Sequence, residues 1–505
     1  MEKRYGLRFS VASVVLAASV AFSSVVMASA DTKEIAPGVA YEQFSEDGVN
    51  FNTIEFTPGG KLQVVGGMSN GYVYGTQNVL DMAQDVEDNP EIEGEVVAAM
   101  NADFFTMSVG GNANANDWGV PYAVFISGGQ ILASSSHFYN GNIDRFAVGI
   151  KSDGSVVMGR NPDMTFDAKV NGEDAFEVDY VNRARPHDDV DYSGVWNVQP
   201  KDQIILYTTD YYTSTNTTGG VEVKVKVSEL DLSHGGKVVG VVEGSPVEDG
   251  NMTIEEGYVV LSAMNDKKAD LLALNDGDQI EISVSIDDED WQDVQFAVGG
   301  SAIVVEDGEI TRNAQASNGN YEQSRSRTQV GVKADGTMVW MTADEAGGSA
   351  GITVPEMAQK MIDAGCVTVI NLDGGGSTTF VGRNDDDTLS VWNTPMNGKD
   401  NLRAVANGIV LVYNENADDV TSSGSSDTSS SSDASSESGA SSTTSAGGTV
   451  STASSTSSTS STANPGTGEG STRMMLFVAA AMIVLSGGFI VVSLVDYKHK
   501  KSSEK

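Results

Sequence analysis

Period-two alternation and Asp-Gly turns recur along this 505-residue chain and limit the folds open to it. Residues 221–227 and 280–286 alternate apolar and polar side chains, which is typical of strands with one buried face. Asp-Gly pairs at 153–154, 307–308 and 335–336 lie between apolar runs and predict tight hairpins. Segments with helical periodicity are few. We therefore predict an α+β fold, a single β-rich globular domain with mixed sheets and few helices.

The clearest helix prediction leads directly into an apolar strand. Thr353 and Glu356 form a capping-box pattern, and Pro355 suits the first turn of a helix. Apolar residues recur at helical spacing up to Gly365, which ends the predicted helix of residues 353–364. A helix that feeds a strand in this way allows that strand a parallel neighbour.

The strand after this helix breaks into the most unusual turn of the chain. Residues 367–372 are mostly apolar or β-branched, and Asp373, three glycines and a run of hydroxyl residues follow them. Adjacent glycines suit a backbone that approaches a ligand closely, with N–H groups facing an anion. The alternative is a tight loop in which Asp373 only caps the turn. The strand before and the hydroxyls after favour a binding site, with Asp373 as a catalytic candidate. The candidate binding residues of this turn are Gly374, Gly375, Gly376, Ser377 and Thr378.

Both ends of the chain differ in composition from its middle. Residues 1–30 have a basic start, an apolar run and a small-residue end, as a secretory signal peptide does. Residues 31–415 have the mixed composition of a folded domain. Residues 416–463 are rich in Ser and Thr and cannot bury enough apolar surface to fold, so they predict a disordered stalk.

Residues 464–505 combine an Asn-Pro-Gly-Thr-Gly pentapeptide, an apolar run and a basic tail. This layout resembles a sortase cell-wall sorting signal, although Asn464 stands where Leu is usual. The alternative is a plain transmembrane anchor, since the apolar run of residues 474–495 is long enough to span a bilayer. Both alternatives predict display of the globular domain outside the cell. The expected partners are sortase and peptidoglycan in the first case and the membrane in the second.

Charge and rare residue types exclude several classes of function. The formal net charge of −40 argues against a nucleic-acid partner. Cys366 is the sole cysteine, so no intrachain disulfide forms, and its position beside an apolar strand predicts a buried, inert thiol. His137, His187 and His234 are widely spaced and do not support a catalytic triad or a zinc centre. No motif requires a cofactor, while the many acidic residues leave a structural calcium ion open and any other metal unassigned.

Three further strand ends carry polar residues suited to a binding site. Asn101 and Asp103 follow the apolar run of residues 96–100, where they line a sugar pocket or only make a turn. Arg327 begins a strand, and its planar guanidinium suits a phosphate or carboxylate, the alternative being an exposed edge arginine. Arg403 precedes the last strand of the domain as a second anion contact or a surface charge.

Four of these segments, in this order, are similar to the phosphodiester glycosidase family. The resemblance covers roughly residues 90–415, and its most specific part is the Asn-Leu-Asp-Gly-Gly-Gly-Ser sequence. The chain departs from the family at Ala102 and Asp103, where members often have glycine, and it lacks the cysteine-rich parts of the animal enzyme. The matching segments are Asn101–Phe105, Arg327–Gly331, Asn371–Thr379 and Arg403–Gly408.

The resemblance implies hydrolysis of a sugar 1-phosphodiester, such as a GlcNAc-1-phosphodiester, at its glycosidic bond. In this hypothesis Arg327 and Arg403 hold the phosphate together with the backbone of residues 374–377. Asp373 orients water or stabilises the sugar cation, and Asn101 binds substrate. The substrate is alternatively a phosphate-containing wall or capsule glycan. The competing prediction is a surface carbohydrate-binding or adhesin domain that uses the same pocket without turnover.

Overall fold

A computed structural model describes residues 32–105, 119–135, 145–185, 202–315 and 319–417. The predicted signal peptide, nearly all of the predicted stalk and the predicted sorting signal or membrane anchor lie outside these ranges. Among the described residues, no helix has the length and apolar character needed to cross a bilayer.

Strands outnumber helices throughout the described part of the chain, as predicted for a β-rich fold. The strands are β1 (Lys33–Ala36), β2 (Val39–Glu46), β3 (Val49–Phe56), β4 (Leu62–Met68), β5 (Glu95–Asn101), β6 (Phe125–Ser127), β7 (Gln130–Ala133), β8 (Phe146–Lys151), β9 (Val156–Arg160), β10 (Met164–Val170), β11 (Glu173–Glu177), β12 (Tyr180–Val181), β13 (Ile204–Tyr207), β14 (Val221–Leu230), β15 (Lys237–Val242), β16 (Tyr258–Ala263), β17 (Gln279–Ile286), β18 (Val294–Gly300), β19 (Ala302–Glu306), β20 (Glu309–Ile310), β21 (Arg327–Lys333), β22 (Met338–Ala343), β23 (Cys366–Asn371), β24 (Phe380–Arg383), β25 (Leu389–Val391) and β26 (Asn407–Tyr413). The α-helices are α1 (Val79–Glu87), α2 (Lys268–Leu272), α3 (Arg312–Gln315) and α4 (Val354–Asp363), and short 3-10 turns cover Asn265–Lys267, Glu289–Trp291 and Gly375–Ser377.

These strands form four sheets. The first sheet has the order β1-β2-β3-β22-β21-β23-β19-β20, and the second has the order β11-β10-β17-β15-β14-β16-β13-β12. The third is β7-β6-β18-β8-β9 and the fourth is β25-β24-β5-β26-β4. Among the described strands, only β12 and β13 pair in parallel. The parallel neighbour that α4 allowed β23 is not formed, because β19 and β21 both run antiparallel to β23.

Local sequence accounts for the turns and caps of these elements. Asp307 and Gly308 have φ of 51° and 75°, which fits the left-handed hairpin turn that Asp-Gly favours between β19 and β20. Thr353 caps α4, its side chain accepting from the Glu356 N–H while the Glu356 carboxylate bonds the Thr353 N–H. The capping box and the Asp-Gly hairpin are therefore confirmed.

The sheets enclose two large apolar cores that share the third sheet. Phe296 and Val298 of β18 point into a core lined by the first and fourth sheets. Ala297, between them, points into a core lined by the second sheet. Because successive side chains of a strand point to opposite faces, β18 contributes residues to both cores. Helices cover the outer faces, with α4 packed on the first sheet through Met357 and α1 on the fourth through Met82.

Candidate active site

Antiparallel pairing brings the predicted site segments to one place. Gln329 of β21 lies opposite Asn371 of β23, so the start of β21 lies beside the residues that leave β23. Gly408 of β26 lies opposite Asn101 of β5 in the same way. The ends of β5 and β23 therefore meet the starts of β21 and β26.

Asn101 ties these segments together through its buried amide. Its Nδ2 donates to the Asp373 carbonyl at 2.7 Å. Its Oδ1 accepts from Thr328 Oγ1 at 3.0 Å and from the Thr379 N–H at 3.3 Å. The side chain is fully buried, so this geometry gives Asn101 the task of fixing the loop that carries Asp373. Its predicted contact with substrate stays a prediction.

The glycine turn donates mainly to the protein itself. The Gly374 N–H bonds Asp373 Oδ1 at 2.9 Å, and the Gly375 N–H bonds the Ser326 carbonyl at 2.7 Å. The Ser377 N–H returns to the Gly374 carbonyl at 3.2 Å. Among the four N–H groups expected to face an anion, only that of Gly376 donates to no described residue. Of the N–H groups predicted to face an anion, the Gly376 N–H is therefore the one that remains available to a ligand among the described residues.

Arg403 lies directly over the glycine turn. A Cβ added at Gly376 would lie 2.5 Å from Arg403 Cζ, so glycine is required there for the guanidinium to sit against the backbone. Within the described residues, the Arg403 guanidinium makes no hydrogen bond or ion pair, and the side chain is half-buried. Arg403 thus presents a largely uncommitted cation beside the Gly376 N–H.

Arg327 borders the same turn but is largely committed to the protein. Its Nε donates to the Ile352 carbonyl at 3.1 Å, and its Nη2 donates to the carbonyls of Asn320 and Gln323 at 2.7 and 2.6 Å. Its Nη1 has no acceptor among the described residues. Burial lowers the pKa of Arg327, although a guanidinium stays charged at neutral pH. One edge of the guanidinium therefore remains for a ligand.

Asp373 combines a partly accessible position with a raised pKa. Burial is the main cause that raises this pKa to about 6, and the nearby Asp103 carboxylate adds to it. The Gly374 N–H and Arg403 act in the opposite direction. Ser377 Oγ also lowers the pKa of Asp373, although it lies outside hydrogen-bond geometry with any described residue and is fully buried.

Asp103 is the second carboxylate of the site and is more rigidly held. Its Oδ1 accepts from the Phe104 N–H at 2.7 Å and its Oδ2 from the Ala123 N–H at 2.6 Å. Burial raises the pKa of Asp103 to about 6 against these bonds and the charges of Arg145 and Arg183. With both oxygens occupied and the side chain buried, Asp103 acts on the site mainly through its charge.

Sequence reasoning missed the two arginines that face Asp103. Arg183 is fully buried, with its Nε donating to the Ser134 carbonyl at 2.6 Å and its Nη1 bonding the Pro121 carbonyl. Arg145 directly precedes β8, and its Cζ lies 4.5 Å from the centre of the Tyr122 ring. An arginine at the start of an apolar strand is the signal that marked Arg327, and it was equally present at Arg145. Arg183 has no comparable local signal.

Among the described side chains, the sole cysteine is buried and the possible metal ligands form no cluster of three or more. Cys366 is buried, and burial raises the pKa of its thiol to about 12, which confirms an inert side chain. Within the described ranges, no group of three or more His, Cys, Asp or Glu side chains is arranged to hold a metal ion.

Two neighbouring carboxylates, Asp373 and Asp103, thus lie in this β-rich domain together with a glycine turn and the Arg403 guanidinium that packs on it. Residues 229–412 match the family model of the phosphodiester glycosidases, which begins in β14 and ends in β26. The matched range contains Arg327, Asp373 and Arg403, whereas Asn101 and Asp103 lie before it. A comparison with curated proteins gives no match.

Solved structures with a similar fold are distant in sequence. A hypothetical protein from Synechocystis is 19% identical with a TM-score of 0.54, and the match covers 77% of this chain and 64% of that one. This chain thus spans just under two thirds of that protein. A putative exported protein from Burkholderia pseudomallei is 17% identical with a TM-score of 0.52, over 72% of this chain and 74% of that one. These two likenesses establish the fold alone.

A third structure is the catalytic domain of zebrafish N-acetylglucosamine-1-phosphodiester alpha-N-acetylglucosaminidase, auto-inhibited by its pro-peptide. It is 14% identical with a TM-score of 0.34, over 76% of this chain and 86% of that one. A TM-score this low carries no structural argument.

Proposed function

We propose that this protein hydrolyses the glycosidic bond of a sugar 1-phosphodiester and releases the sugar and a phosphomonoester. The observation that carries the proposal is the arrangement of Asp373, Asp103 and the uncommitted Arg403 around one turn. The phosphodiester glycosidase match over residues 229–412 supports the same reaction class.

The phosphate side of the site is provided by Arg403. A phosphodiester carries one negative charge, and a guanidinium can bond two of its oxygens at once. The Gly376 N–H lies under that guanidinium and adds one donor, and Arg327 Nη1 adds another from the far side of the turn. These groups stabilise the phosphomonoester as its charge increases during bond cleavage.

The sugar side of the site is provided by Asp373. Its Oδ1 is occupied by the Gly374 N–H, while Oδ2 accepts from no described residue and faces the partly open side. An ionised Asp373 activates water or stabilises an oxocarbenium-like centre. A phosphomonoester is a good leaving group, so the site has little need of a strong general acid. Burial, with a smaller contribution from the Asp103 carboxylate, keeps the pKa of Asp373 close to the range in which a base works.

Turnover of a small diester by the purified protein tests this proposal. We expect the methyl diester of GlcNAc 1-phosphate to yield free GlcNAc and methyl phosphate, followed by ³¹P and ¹H NMR. The Asp373→Asn variant should lose about 100-fold or more of kcat, the scale of a general base. Asp335→Asn, in the exposed turn between β21 and β22, is the matched control and should keep full activity.

Two outcomes contradict the proposal. Full turnover by a normally folded Asp373→Asn protein removes the role of Asp373. Binding of the diester without product favours the alternative, a carbohydrate-binding or adhesin domain that uses the same pocket.

We further propose that the domain acts outside the cell on a stalk. The support is the sequence alone: the signal-like residues 1–30, the Ser/Thr-rich residues 416–463 and the sorting-signal-like residues 464–505. A wall or capsule glycan joined through phosphodiesters is the substrate class that such a location makes available, with sortase and peptidoglycan as partners where the attachment is covalent.

A further inference from the structure

A cavity that is not lined by the carboxylate pair lies between β2 and the hairpin of β24 and β25. Its volume is about 440 Å³, which falls within the usual range of about 300–1,000 Å³ for small-ligand pockets. Tyr41, Gln43, Asn384 and Trp392 provide the rings and amides of its lining. None of these residues contributes to the proposed reaction.

The indole of Trp392 is built into this groove rather than left loose. A Cβ added at Gly382 would lie 2.5 Å from the Trp392 ring atoms, so the indole lies against the bare backbone of β24. Trp392 Nε1 donates to Asn384 Oδ1 at 3.0 Å. The Tyr41 ring contacts the indole with centroids 4.5 Å apart and planes tilted by 56°. The half-buried rings form a fixed apolar platform.

Polar groups around this platform are also fixed in direction. Tyr41 OH and Gln43 Nε2 both donate to Asn52 Oδ1, at 2.9 and 3.2 Å. Ser390 Oγ donates to Asn384 Oδ1 at 3.0 Å. These bonds orient the amides at the edge of the rings, and the amides keep further capacity for a ligand. A fixed ring bordered by amides and hydroxyls matches a pyranose, which has an apolar C–H face and a polar hydroxyl edge.

The charges of the groove favour a neutral ligand. Lys33 pairs with Asp385, and Lys399 Nζ donates to the Val391 carbonyl at 2.6 Å. These charged groups of the lining are thus already engaged within the protein, so the rings and amides are the groups that remain for a ligand. We infer that this groove binds a neutral oligosaccharide, with one pyranose ring on Trp392.

The groove is joined to the candidate active site through β24. Asn393, next to Trp392, accepts from the Phe380 N–H at 2.8 Å and donates to the Thr378 carbonyl at 3.3 Å. A glycan held on Trp392 is thus placed beside β24, the strand that follows the glycine turn. The binding itself does not depend on hydrolysis, so the inference goes beyond the proposed reaction.

Calorimetric titration of the Asp373→Asn protein with four tetrasaccharides tests this inference. The probes are those of glucose in α-1,4 and β-1,4 linkage, of mannose and of N-acetylglucosamine. We expect at least one to bind with a Kd in the millimolar range or tighter, which is about −4 kcal/mol or stronger. Trp392→Ala should weaken that binding at least about tenfold, while Trp392→Phe should keep most of it.

Controls separate the groove from the active site and from misfolding. Tyr258→Ala removes a half-buried ring from the second sheet and should leave binding unchanged. Gln43→Ala changes an exposed residue and should weaken binding several-fold even where Trp392→Ala unfolds the protein. Trp392→Ala in the otherwise unchanged protein should hydrolyse the small methyl diester at the normal rate. A failure to hydrolyse the diester would therefore contradict the proposed reaction but would not contradict glycan binding in the groove.

Two results overturn the inference. One is the absence of binding heat with all four tetrasaccharides, which would leave the groove to a different class of partner such as a peptide. The other is unchanged binding in both Trp392→Ala and Gln43→Ala.

Discussion

At the scale of single residues, the proposed site depends on two neighbouring carboxylates, and the negative charge of one disfavours ionisation of the other. Asp373 and Asp103 each have a pKa raised to about 6 by burial, and Asp103 raises that of Asp373 further. A carboxyl whose folded pKa lies above its unfolded value binds protons more tightly when folded. Its ionisation therefore costs stability as pH rises from about 4 towards 6, and that loss persists above pH 6. The fold accepts this cost to keep two neighbouring carboxylates, Asp373 near Arg403 and Asp103 near Arg145 and Arg183.

The pH profile follows from the same pair. If Asp373 acts as an ionised group, kcat/KM should rise with pH through an apparent pKa near 6 that belongs to the pair. Asp103→Asn should move this limb to lower pH, because the charge that raises the pKa of Asp373 is removed. Initial rates between pH 4 and 8 measure both, with thermal unfolding of each variant as the control. A limb that falls through pH 6 instead would assign proton donation to Asp373.

At the scale of elements, Asn101 joins three strands that are far apart in sequence. The end of β5 supplies its side chain, the start of β21 supplies Thr328, and the chain leaving β23 supplies the Asp373 carbonyl. Because Thr328 and Thr379 are fully buried, removing the Asn101 amide takes a hydrogen-bond partner from polar groups that water does not reach.

Asn101→Ala should therefore destabilise the protein by about 1–3 kcal/mol through those unsatisfied groups. If Asn101 positions the loop without touching substrate, kcat should fall while KM changes little. Denaturant unfolding and steady-state kinetics give the two quantities. A large rise in KM with unchanged stability would instead support the direct substrate contact predicted from the sequence. Thr311→Ala removes a hydroxyl that donates to the Ile303 carbonyl and accepts from the Ala314 N–H, and it is a matched polar control outside the site.

Elements set by local chemistry were predictable from the sequence. The capping box at Thr353, the Asp-Gly hairpin at Asp307 and the strand before Asp373 each depend on neighbours in sequence. The commitment of the Gly375 N–H to Ser326 was not predictable, because it depends on how β21 lies beside β23. Arg183 was missed for the same reason, since its carbonyl partners come from a distant loop.

At the scale of the whole molecule, the family match accounts for only part of the site. Asn101, Asp103, Arg145 and Arg183 precede residues 229–412, although they reach the same turn or its carboxylates. The proposed site is thus assembled from residues inside and outside the range of the family match.

The proposed location is a prediction for whole cells. Fractionation should recover the protein with the wall or membrane, and protease added to intact cells should release the domain. Deletion of residues 464–505 should send the protein into the medium if these residues anchor it. Replacement of Thr467 and Gly468 by Ala should abolish wall linkage but leave membrane association if a sortase acts there. Recovery of the unaltered protein in the cytoplasm would contradict display.

The position of β18 between the two cores determines how this domain unfolds. Phe296 and Val298 belong to one core and Ala297 to the other, so no plane of separation passes between the cores without crossing that strand. Loss of either core strips one face of β18 and exposes its neighbours in the third sheet to solvent. The two cores should melt in a single cooperative transition, and the boundaries of the family match are not boundaries along which the chain can be cut.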